Sequence, residues 1–557
     1  MARNNGSNGL AGRVTDDNAK WWTLVAACFA LFMAILDNLV VNVALPTISA
    51  DLQADATQFQ WIVSAYILVF ASLQITTGGL GDRLGRKRWF LFGVALFTAT
   101  SVLAAFSQNV EMLITARALQ GLGAAFIMPL SLSLISEAFP PEERGRALGI
   151  WTAISISGLA FGPIIGGLIV EYASWNWIFL INVPIGIGAF LVTSAVVRES
   201  RDTSGTAALD IPGTVLITGA LASLTWGLIE AGERGWGDSM ILAAFVASAV
   251  LLAGFIWVEA HTAKPMVPLR FFRSPTFTGA NIVAFAVSFL ISGVAFSMTL
   301  YQQNVHGFSP LRTGLALLPL VITMMVVSPI SGSLVNRIGP SKLTALGLLI
   351  TGLSALLFLR TGVNASYLDI VPAMVAMGFG NALIFAPMTT AVLNSVERSK
   401  SGVASAINGA VRETGFAFGI ALLGTIINRV YQDQYNTSAE VTTLRANTDP
   451  AVAPLQPVVD AVGTGVNLAG QVIENSSRFP GVPVEIAAQI REASSQAFVA
   501  GMDRAFVVSS IAIVLASGLA FFLINDRVAS PPRAESEVDA HAGEGRREPA
   551  LESSAAD

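Results

Sequence analysis

Asp37, Arg117, Gln120 and Glu413 are polar side chains inside long apolar stretches of the chain. A charge in such a stretch is costly and usually faces the interior of a helix bundle. A buried carboxyl group can carry a proton, because desolvation disfavours its charged form, or it can pair with a cation. Asp37 follows fifteen uncharged residues, so we expect it deep in the first stretch, with Asn42 farther along. These residues predict proton or cation binding within the apolar part of the molecule.

Glu413 directly follows Arg412, and neighbouring residues of a helix point to different faces. Each side chain therefore needs its own partner. Two interpretations of Glu413 stay open: it is a second proton carrier, or it belongs to a structural ion pair.

The composition indicates an all-α polytopic membrane protein. Of 557 residues, 53% are hydrophobic and 12% are charged, with a mean hydropathy of +0.64, whereas a typical soluble domain has about 25% charged residues. These values exclude disorder, a nucleic-acid-binding protein and an ordinary cytosolic enzyme. The sequence has no zinc-ligand spacing and no Gly-Lys dipeptide of a phosphate loop, so we predict no metal and no other cofactor.

Fourteen apolar segments approach the length of about 20 residues that a membrane span needs. They are expected at 22–45, 59–80, 89–107, 111–135, 145–170, 176–197, 210–230, 240–259, 277–300, 312–335, 342–360, 367–393, 403–428 and 505–525. The tails and loops on the side of the N-terminus hold 22 of the 32 Lys and Arg residues. The positive-inside rule therefore predicts a multi-pass protein of the cell membrane with both termini in the cytoplasm. Glu259 is near a span end, and we expect it at the membrane interface.

The pattern divides the chain into five parts. These are a cytoplasmic tail at 1–20, a six-helix half at 21–200, two extra spans with flanking loops at 201–275, a second six-helix half at 276–525, and an acidic tail at 526–557 whose composition is typical of disorder. The second half includes a long segment at 429–504 that we expect on the outer side. It has five prolines but also apolar residues at helical spacing, so an ordered and a disordered segment both remain open.

The two halves repeat the same motifs at offsets of 254 to 258 residues. The segment 78–85 has the sequence GGLGDRLG, and the segment 332–339 has the sequence GSLVNRIG. Related halves around a central site are typical of secondary transporters. The counterpart of Arg117 is the neutral Met374, so the charge of Arg117 is not needed merely to build the fold.

The first copy of the repeated motif joins the second and third spans. Its glycines permit a tight reversal, its aspartate can sit at a helix N-terminus, where the dipole favours a negative charge, and its arginines can form ion pairs between helices. We predict a cytoplasmic gating latch made of Gly78, Asp82, Arg83, Gly85 and Arg86. Glu137, near the end of the fourth span, is expected to pair with Arg86.

The fifth span contains a series of small residues at a spacing that lets helices approach closely. The series is Gly158, Gly162, Pro163, Gly166 and Gly167. Its proline can bend the span. Close packing explains this pattern, and no chemistry follows from it.

Together these motifs resemble the major facilitator superfamily, in particular its fourteen-span drug/proton antiporter branch. The segments 78–88, 113–123, 158–167 and 36–46 are similar to the family's loop motif, fourth-span motif, antiporter motif and first-span motif. The resemblance covers residues 20–525 and implies a major facilitator fold. In two places the chain departs from the branch: Leu39 stands where Thr is usual, and Glu413 stands where Gln is usual.

The resemblance implies a proton-coupled antiporter that exports amphipathic or hydrophobic compounds by alternating access. Asp37, Arg117 and Glu413 would then couple protons, and Asp37, Asn42, Gln120 and Glu413 would bind an amphipathic or cationic substrate. The partners would be this substrate, protons and the lipid bilayer, without nucleic acid, and the protein would act as a monomer and not as an enzyme. Export of a lipid or native metabolite is the alternative, and a non-transporting membrane sensor is a remote one.

Overall fold

In a computed structural model, the protein is described at residues 16–53, 56–201, 210–262, 265–447, 455–463, 465 and 484–525. The regular structure of these residues is helical, without a β-strand. Thirteen helices of the described part are long and apolar enough to cross a membrane. A further helix of 32 residues occupies the place of the fifth predicted span. The predicted all-α membrane fold is therefore confirmed.

The helices of the N-terminal half follow the six predicted spans. They are α1 (Asp16–Leu52), α2 (Ala56–Leu84), α3 (Arg86–Ala105), α4 (Val110–Ala138), α5 (Pro141–Tyr172), α6 (Trp177–Leu180) and α7 (Asn182–Val196). The last two form one span with a break at Ile181. We call the end of the bundle at which α2 meets α3 the inner end, and the opposite end the outer end.

The remaining helices include the inserted pair and the C-terminal half. The inserted pair is α8 (Ile211–Arg234) and α9 (Ser239–His261). The C-terminal half contains α10 (Pro275–Leu300), α11 (Pro310–Ala316), α12 (Leu318–Ile338), α13 (Pro340–Leu357), α14 (Tyr367–Asn394), α15 (Ser401–Thr437), α16 (Ala439–Ala446), α17 (Gln456–Gly463) and α18 (Val484–Leu523). The predicted acidic tail lies outside the described residues, and the five-part division stays a prediction.

The repeat appears in the backbone as two equivalent reversals. Gly85 between α2 and α3 has φ +121°, and Gly339 between α12 and α13 has φ +95°. Both values lie in the region that side chains with a Cβ rarely adopt. The two glycines are 254 residues apart, so the sequence repeat corresponds to a repeat of backbone conformation.

Two helices at the outer end are longer than a membrane requires. α15 has 37 residues and α18 has 40, which is about 60 Å for α18 at 1.5 Å per residue. The Tyr431 hydroxyl lies 3.0 Å from both the Val462 carbonyl oxygen and Ser494 Oγ, and the Tyr435 hydroxyl donates to the Val459 carbonyl. The described parts of the 429–504 segment are therefore ordered as helices that pack on one another.

The inserted pair contacts both halves. Thr76 Oγ1 of α2 lies 3.0 Å from Thr218 Oγ1 of α8. Near the outer end, Trp236 Nε1 donates to Thr425 Oγ1 of α15 at 2.7 Å. The apolar core of the C-terminal half also continues into this pair, for example through Phe255. The pair is thus positioned between the two halves.

Candidate functional site

An ion pair between α1 and α4 lies at the centre of the N-terminal half. Arg117 is fully buried and Asp37 is 1% exposed. The guanidinium Nη1 donates to Asp37 Oδ2, and Nε donates to the Ile62 carbonyl oxygen at 3.2 Å. Removing one member of such a pair leaves an uncompensated charge in a dry environment, which is strongly destabilising.

Two amide side chains complete this pair. Gln120 Nε2 lies 3.2 Å from Asp37 Oδ1, and its Oε1 accepts from Arg117 Nη1 at 2.9 Å. Asn182 Nδ2, at the start of α7, donates to the same Asp37 oxygen at 2.6 Å. Ser101 Oγ of α3 accepts hydrogen bonds from both amides, at 2.8 Å and 3.3 Å. Side chains of α3, α4 and α7 therefore form one hydrogen-bonded network around the Asp37 carboxylate of α1.

Tyr66 of α2 covers the guanidinium, with its ring centroid 4.5 Å from Arg117 Cζ. This is the geometry of a cation–π contact. Two polar atoms in this network, Arg117 Nη2 and Asn182 Oδ1, have no hydrogen-bond partner in the part of the chain that the structure describes. The site can therefore accept one more donor and one more acceptor, as water or a ligand would supply.

Asp37 is not the isolated carboxyl group that the sequence suggested, because it has three side-chain partners. This changes the chemistry that the site can perform. The negative charge of Asp37 is the counter-ion of Arg117 and holds α1 against α4.

The C-terminal half contributes a charged pair close to this network. Arg412 Cζ lies 5.6 Å from the Phe385 ring centroid. Glu413 interacts electrostatically with both Arg412 and Tyr66, and Tyr66 also interacts with Asp37 and Arg117. Glu413 of the C-terminal half is thus within electrostatic range of the Asp37 network.

The glycines of the fifth span pack α5 against the residues that flank Asp37. A Cβ atom on Gly158 would lie 2.6 Å from Ile35 Cγ2, and one on Gly162 would lie 2.6 Å from Leu39 Cβ. Leu39, the residue that replaces the usual Thr, therefore packs on a glycine of α5. Of the other members of the motif, Gly166 is buried and Gly167 lies against Leu311 of α11. The side chain of Pro163 is outside the described part.

The predicted latch joins the two halves at the inner end. Asp82 Oδ2 accepts a hydrogen bond from the Val403 backbone N at 2.9 Å, at the start of α15. Asp82 Oδ1 accepts from Arg86 Nε at 2.7 Å. Arg86 Nη2 donates to the Ser399 carbonyl oxygen at 3.0 Å, and Nη1 lies 3.4 Å from Glu137 Oε2. Because Asp82 and Arg86 are each 1% exposed, this contact between the two halves is buried at the inner end.

The second copy of the motif makes a related contact in the opposite direction. Asn336, the counterpart of Asp82, donates through Nδ2 to the Glu142 carbonyl oxygen at the start of α5, at 2.6 Å. Beside it, Arg144 Nη1 donates to Asn394 Oδ1 at 3.0 Å. The two halves are thus joined twice at the inner end, once by Asp82 and Arg86, which bind backbone groups of the C-terminal half, and once by Asn336 and Arg144.

At both of these contacts, the backbones of the two halves approach each other closely. A Cβ atom on Gly78 would lie 2.7 Å from the Gly402 carbonyl oxygen of α15, and Gly332 packs equally closely on Gly145 of α5. Neither position has room for a larger residue. Gly78 and Gly332 are counterparts in the repeat, so the two halves use equivalent glycines for contact.

Sequence reasoning found part of the central site and missed the rest. Asp37, Arg117 and Gln120 come together as neighbours, whereas the side chain of Asn42 lies outside the described part of α1. Asn182 and Ser101 were missed. Asn182 stands alone in an apolar run, which is a usable signal, but a serine in a helix is too common to indicate a site.

A helical bundle with two related halves, a buried charge network and an inner latch defines a transporter of the polytopic membrane class. The family model of the Major Facilitator Superfamily matches residues 27–420. The chain is 33% identical over 524 residues to the tetracenomycin C resistance and export protein of Streptomyces glaucescens, covering 93% of each. It is 36% identical over 406 residues to the multidrug resistance protein Stp of Mycobacterium tuberculosis, covering 73% of the chain and 75% of Stp. The chain belongs to the Major Facilitator Superfamily.

Solved structures have the same fold. The human organic anion transporter MFSD10 superposes with a TM-score of 0.58 at 12% identity, over 90% of the chain and 99% of that structure. A double Trp mutant of XylE superposes with a TM-score of 0.57 at 13% identity, over 92% and 97%. The predicted major facilitator fold is confirmed.

Proposed function

We propose that the protein is a proton-coupled antiporter of the cell membrane that exports amphipathic or hydrophobic compounds. The observation that carries this proposal is the buried Asp37–Arg117 pair with its amide partners, faced by Glu413 of the other half. A proton and a cationic substrate would compete for the same carboxyl groups. The names of the relatives, which include a tetracenomycin C export protein and a multidrug resistance protein, support this substrate class.

In the proposed cycle, the two halves move relative to one another around the central network. When Asp37 is open to the outside, it takes up a proton, and the substrate loses its counter-charge and leaves. The neutral Asp37 no longer holds Arg117 by charge, so α1 and α4 can shift and the inner latch can release. The proton then leaves on the cytoplasmic side, and the restored carboxylate binds the next substrate.

The test uses purified protein in liposomes with an imposed pH gradient and the lipophilic cation ethidium. Wild type should move the dye against its gradient, and Asp37→Asn should abolish the movement. Asp433→Asn is the matched control, because Asp433 is an exposed acid of the outer segment and should transport as wild type does.

Three results would contradict the proposal in different ways. Gradient-driven movement that Asp37→Asn leaves intact would move the proton site to Glu413. A folded wild type that moves a labelled lipid without a pH gradient, but not ethidium, would favour the alternative, a lipid or metabolite exporter. No movement of any probe would favour a sensor.

A further inference from the structure

Asp210 and Glu259 form a pair of carboxyl groups at the inner end of the inserted helices, apart from the central network. Asp210 caps the N-terminus of α8, and Glu259 lies in the last turn of α9. They are 8% and 3% exposed, so Glu259, which the sequence placed at the membrane interface, is buried in protein. The two carboxyl groups approach each other over Gly213 and interact electrostatically. A Cβ atom on Gly213 would lie 2.5 Å from Asp210 Oδ2 and 3.1 Å from Glu259 Oε1.

The hydrogen bonds of this pair leave one oxygen of each carboxyl group unsatisfied. Asp210 Oδ1 accepts from the Gly213 backbone N at 2.9 Å, and Glu259 Oε1 accepts from the Val267 backbone N at 3.3 Å. Asp210 Oδ2 and Glu259 Oε2 are buried without a donor among the described residues. Two adjacent carboxylates cannot both keep a full charge in a dry site at low cost. A proton between them supplies the missing donor.

The neighbouring charges also favour one bound proton on this pair of carboxyl groups. Arg83 of α2 acts electrostatically on Glu259 and donates through Nη2 to the Pro265 carbonyl oxygen at 3.1 Å. The exposed His261 ring stacks on Trp257 at 4.8 Å, and Lys264 lies outside the described residues. Among the described residues, the positive charge of Arg83 does not balance two carboxylates, and one bound proton removes the excess negative charge.

A small cavity connects this cluster to α2. Its volume is about 130 Å³, and its lining includes Arg83, Asp210, Thr76 and Thr214. This is room for a few water molecules, each of which takes about 30 Å³ in the liquid. The lining is otherwise apolar, with Leu80, Ile211 and Met266, so water in this cavity would meet Asp210 beside few other polar groups.

We propose that Asp210 and Glu259 share one proton and form a second protonatable site, next to the latch and separate from Asp37. The proton comes from water at the inner end and returns to it. Its loss leaves two carboxylates beside Arg83 and draws that guanidinium away from the Pro265 carbonyl. Because Arg83 directly follows Asp82, the binding or loss of this proton changes how firmly the latch holds. The site goes beyond the proposed function, since it needs no substrate.

The experiment is pH-difference infrared spectroscopy on purified full-length protein in lipid nanodiscs, without substrate. Wild type should show the carbonyl band of a protonated carboxyl group at neutral pH. Asp210→Asn and Glu259→Gln should each reduce that band by one carboxyl equivalent, while Asp238→Asn should leave it unchanged. Asp238 is the matched control because it caps the N-terminus of α9 as Asp210 caps α8.

An unchanged band in both folded variants would overturn the shared proton. A wild-type spectrum without the band of a protonated carboxyl group at neutral pH would also overturn it. Size-exclusion profiles identify a variant that fails to fold, and the other variant then decides. Failure of ethidium transport in the liposome assay would contradict the proposed function without affecting the infrared result.

Discussion

Arg117 uses the shape of its guanidinium group and not only its charge. Its Nε and Nη1 bind a backbone carbonyl, Gln120 and Asp37, and its plane faces Tyr66. Lysine keeps the charge but cannot form these bonds at once. We expect Arg117→Lys to stop gradient-driven dye transport and to lower the free energy of unfolding by about 1–3 kcal/mol, the cost of lost buried hydrogen bonds. Transport in liposomes and chemical denaturation measure the two effects.

The matched control is Arg445→Lys. Arg445 also donates from two nitrogens of its guanidinium group, to Asp460 and Asn436, but it lies in the outer segment. It should keep wild-type transport. Full transport by Arg117→Lys would show that charge alone suffices at this position.

His306 predicts a pH-dependent stability at the outer end. It follows α10 and packs edge-on against Tyr301 at 4.8 Å. Burial, and then the nearby charge of Arg312, hold the pKa of His306 below its ordinary value near 6.5. The unfolded chain then binds the proton more readily, so the stability is full above pH ~6.5 and is lost as the pH falls from there toward the folded pKa.

Replacing the histidine should weaken this dependence of stability on pH. We expect His306→Gln to lose less thermal stability than wild type between pH ~7 and ~5. The control is His261→Gln, because that ring is exposed at the inner end, and it should follow wild type. Parallel wild-type and His306→Gln profiles would refute the assignment.

The residue types of the central site were predictable, but their complete set was not. A charge inside an apolar run is visible in sequence, which is why Asp37 and Arg117 stood out. Asn182 binds the Asp37 carboxylate, and Ser101 accepts a hydrogen bond from Asn182, both from helices far away in the chain. Their participation depends on how the helices rotate against one another, and helix rotation is not encoded by local composition.

At the scale of elements, the glycines of α5 decide how closely α1 can lie beside it. A Cβ atom on Gly162 would meet Leu39 Cβ at 2.6 Å, whereas one on Gly518 of α18 would meet nothing within 4 Å. Overpacking of this kind costs about 1–3 kcal/mol. We therefore expect Gly162→Ala to lower the unfolding temperature and Gly518→Ala to raise it slightly, through helix propensity. Differential scanning fluorimetry compares them, and equal shifts would contradict the role of close packing.

The latch gives a second prediction about elements. Asp82→Asn removes the charge that holds Arg86 and weakens the acceptor for Val403. The inner end should then open more often, and a Ser401→Cys reporter, buried at that contact, should react faster with a thiol reagent. The single native cysteine, Cys28, is itself buried, so the background is low.

The control for the latch is Glu397→Gln at the same end. It breaks the exposed Arg270–Glu397 pair, and such pairs contribute about 0–1 kcal/mol. It should leave the labelling rate near that of wild type. Equal rates in the Asp82 and Glu397 variants would mean that the buried pair does not hold the halves together.

At the scale of the whole molecule, the sequence repeat predicted two related halves, and the equivalent reversals at Gly85 and Gly339 agree with it. The attachment of the inserted pair was not predictable. Its contacts to α2 and α15 are made by Thr76–Thr218 and Trp236–Thr425, ordinary polar residues without a pattern. Relative placement of domains depends on such pairwise fits, which a single sequence does not reveal.

This attachment yields a prediction about movement. If the halves move against one another, the inserted pair must follow one of them. Near the inner end, α2 contacts the inserted pair through the Thr76–Thr218 hydrogen bond and contacts the segment after it through Arg83 and the Pro265 carbonyl. Near the outer end, the side-chain hydrogen bond to α15 that the described residues show is Trp236–Thr425. We infer that the pair moves with the N-terminal half. A disulfide between Thr76→Cys and Thr218→Cys should therefore preserve transport, whereas a reducible thiol crosslink between Trp236→Cys and Thr425→Cys should block it.

Both cysteine pairs are introduced into a Cys28→Ser background, and the liposome assay is run before and after reduction. The short Thr76 and Thr218 side chains are within hydrogen-bonding distance, so a disulfide there requires only small local adjustment. Trp236 reaches Thr425 only with the far end of its indole ring, so the second cysteine pair is joined by a short thiol-reactive crosslinker that contains a reducible disulfide. Recovery on reduction shows that the crosslink, and not the substitutions, blocks transport. The opposite result would assign the inserted pair to the C-terminal half, in line with the apolar core that Phe255 shares with it. Transport that survives both crosslinks together would mean that the halves do not move apart at these positions, and the proposed rocking cycle would fail.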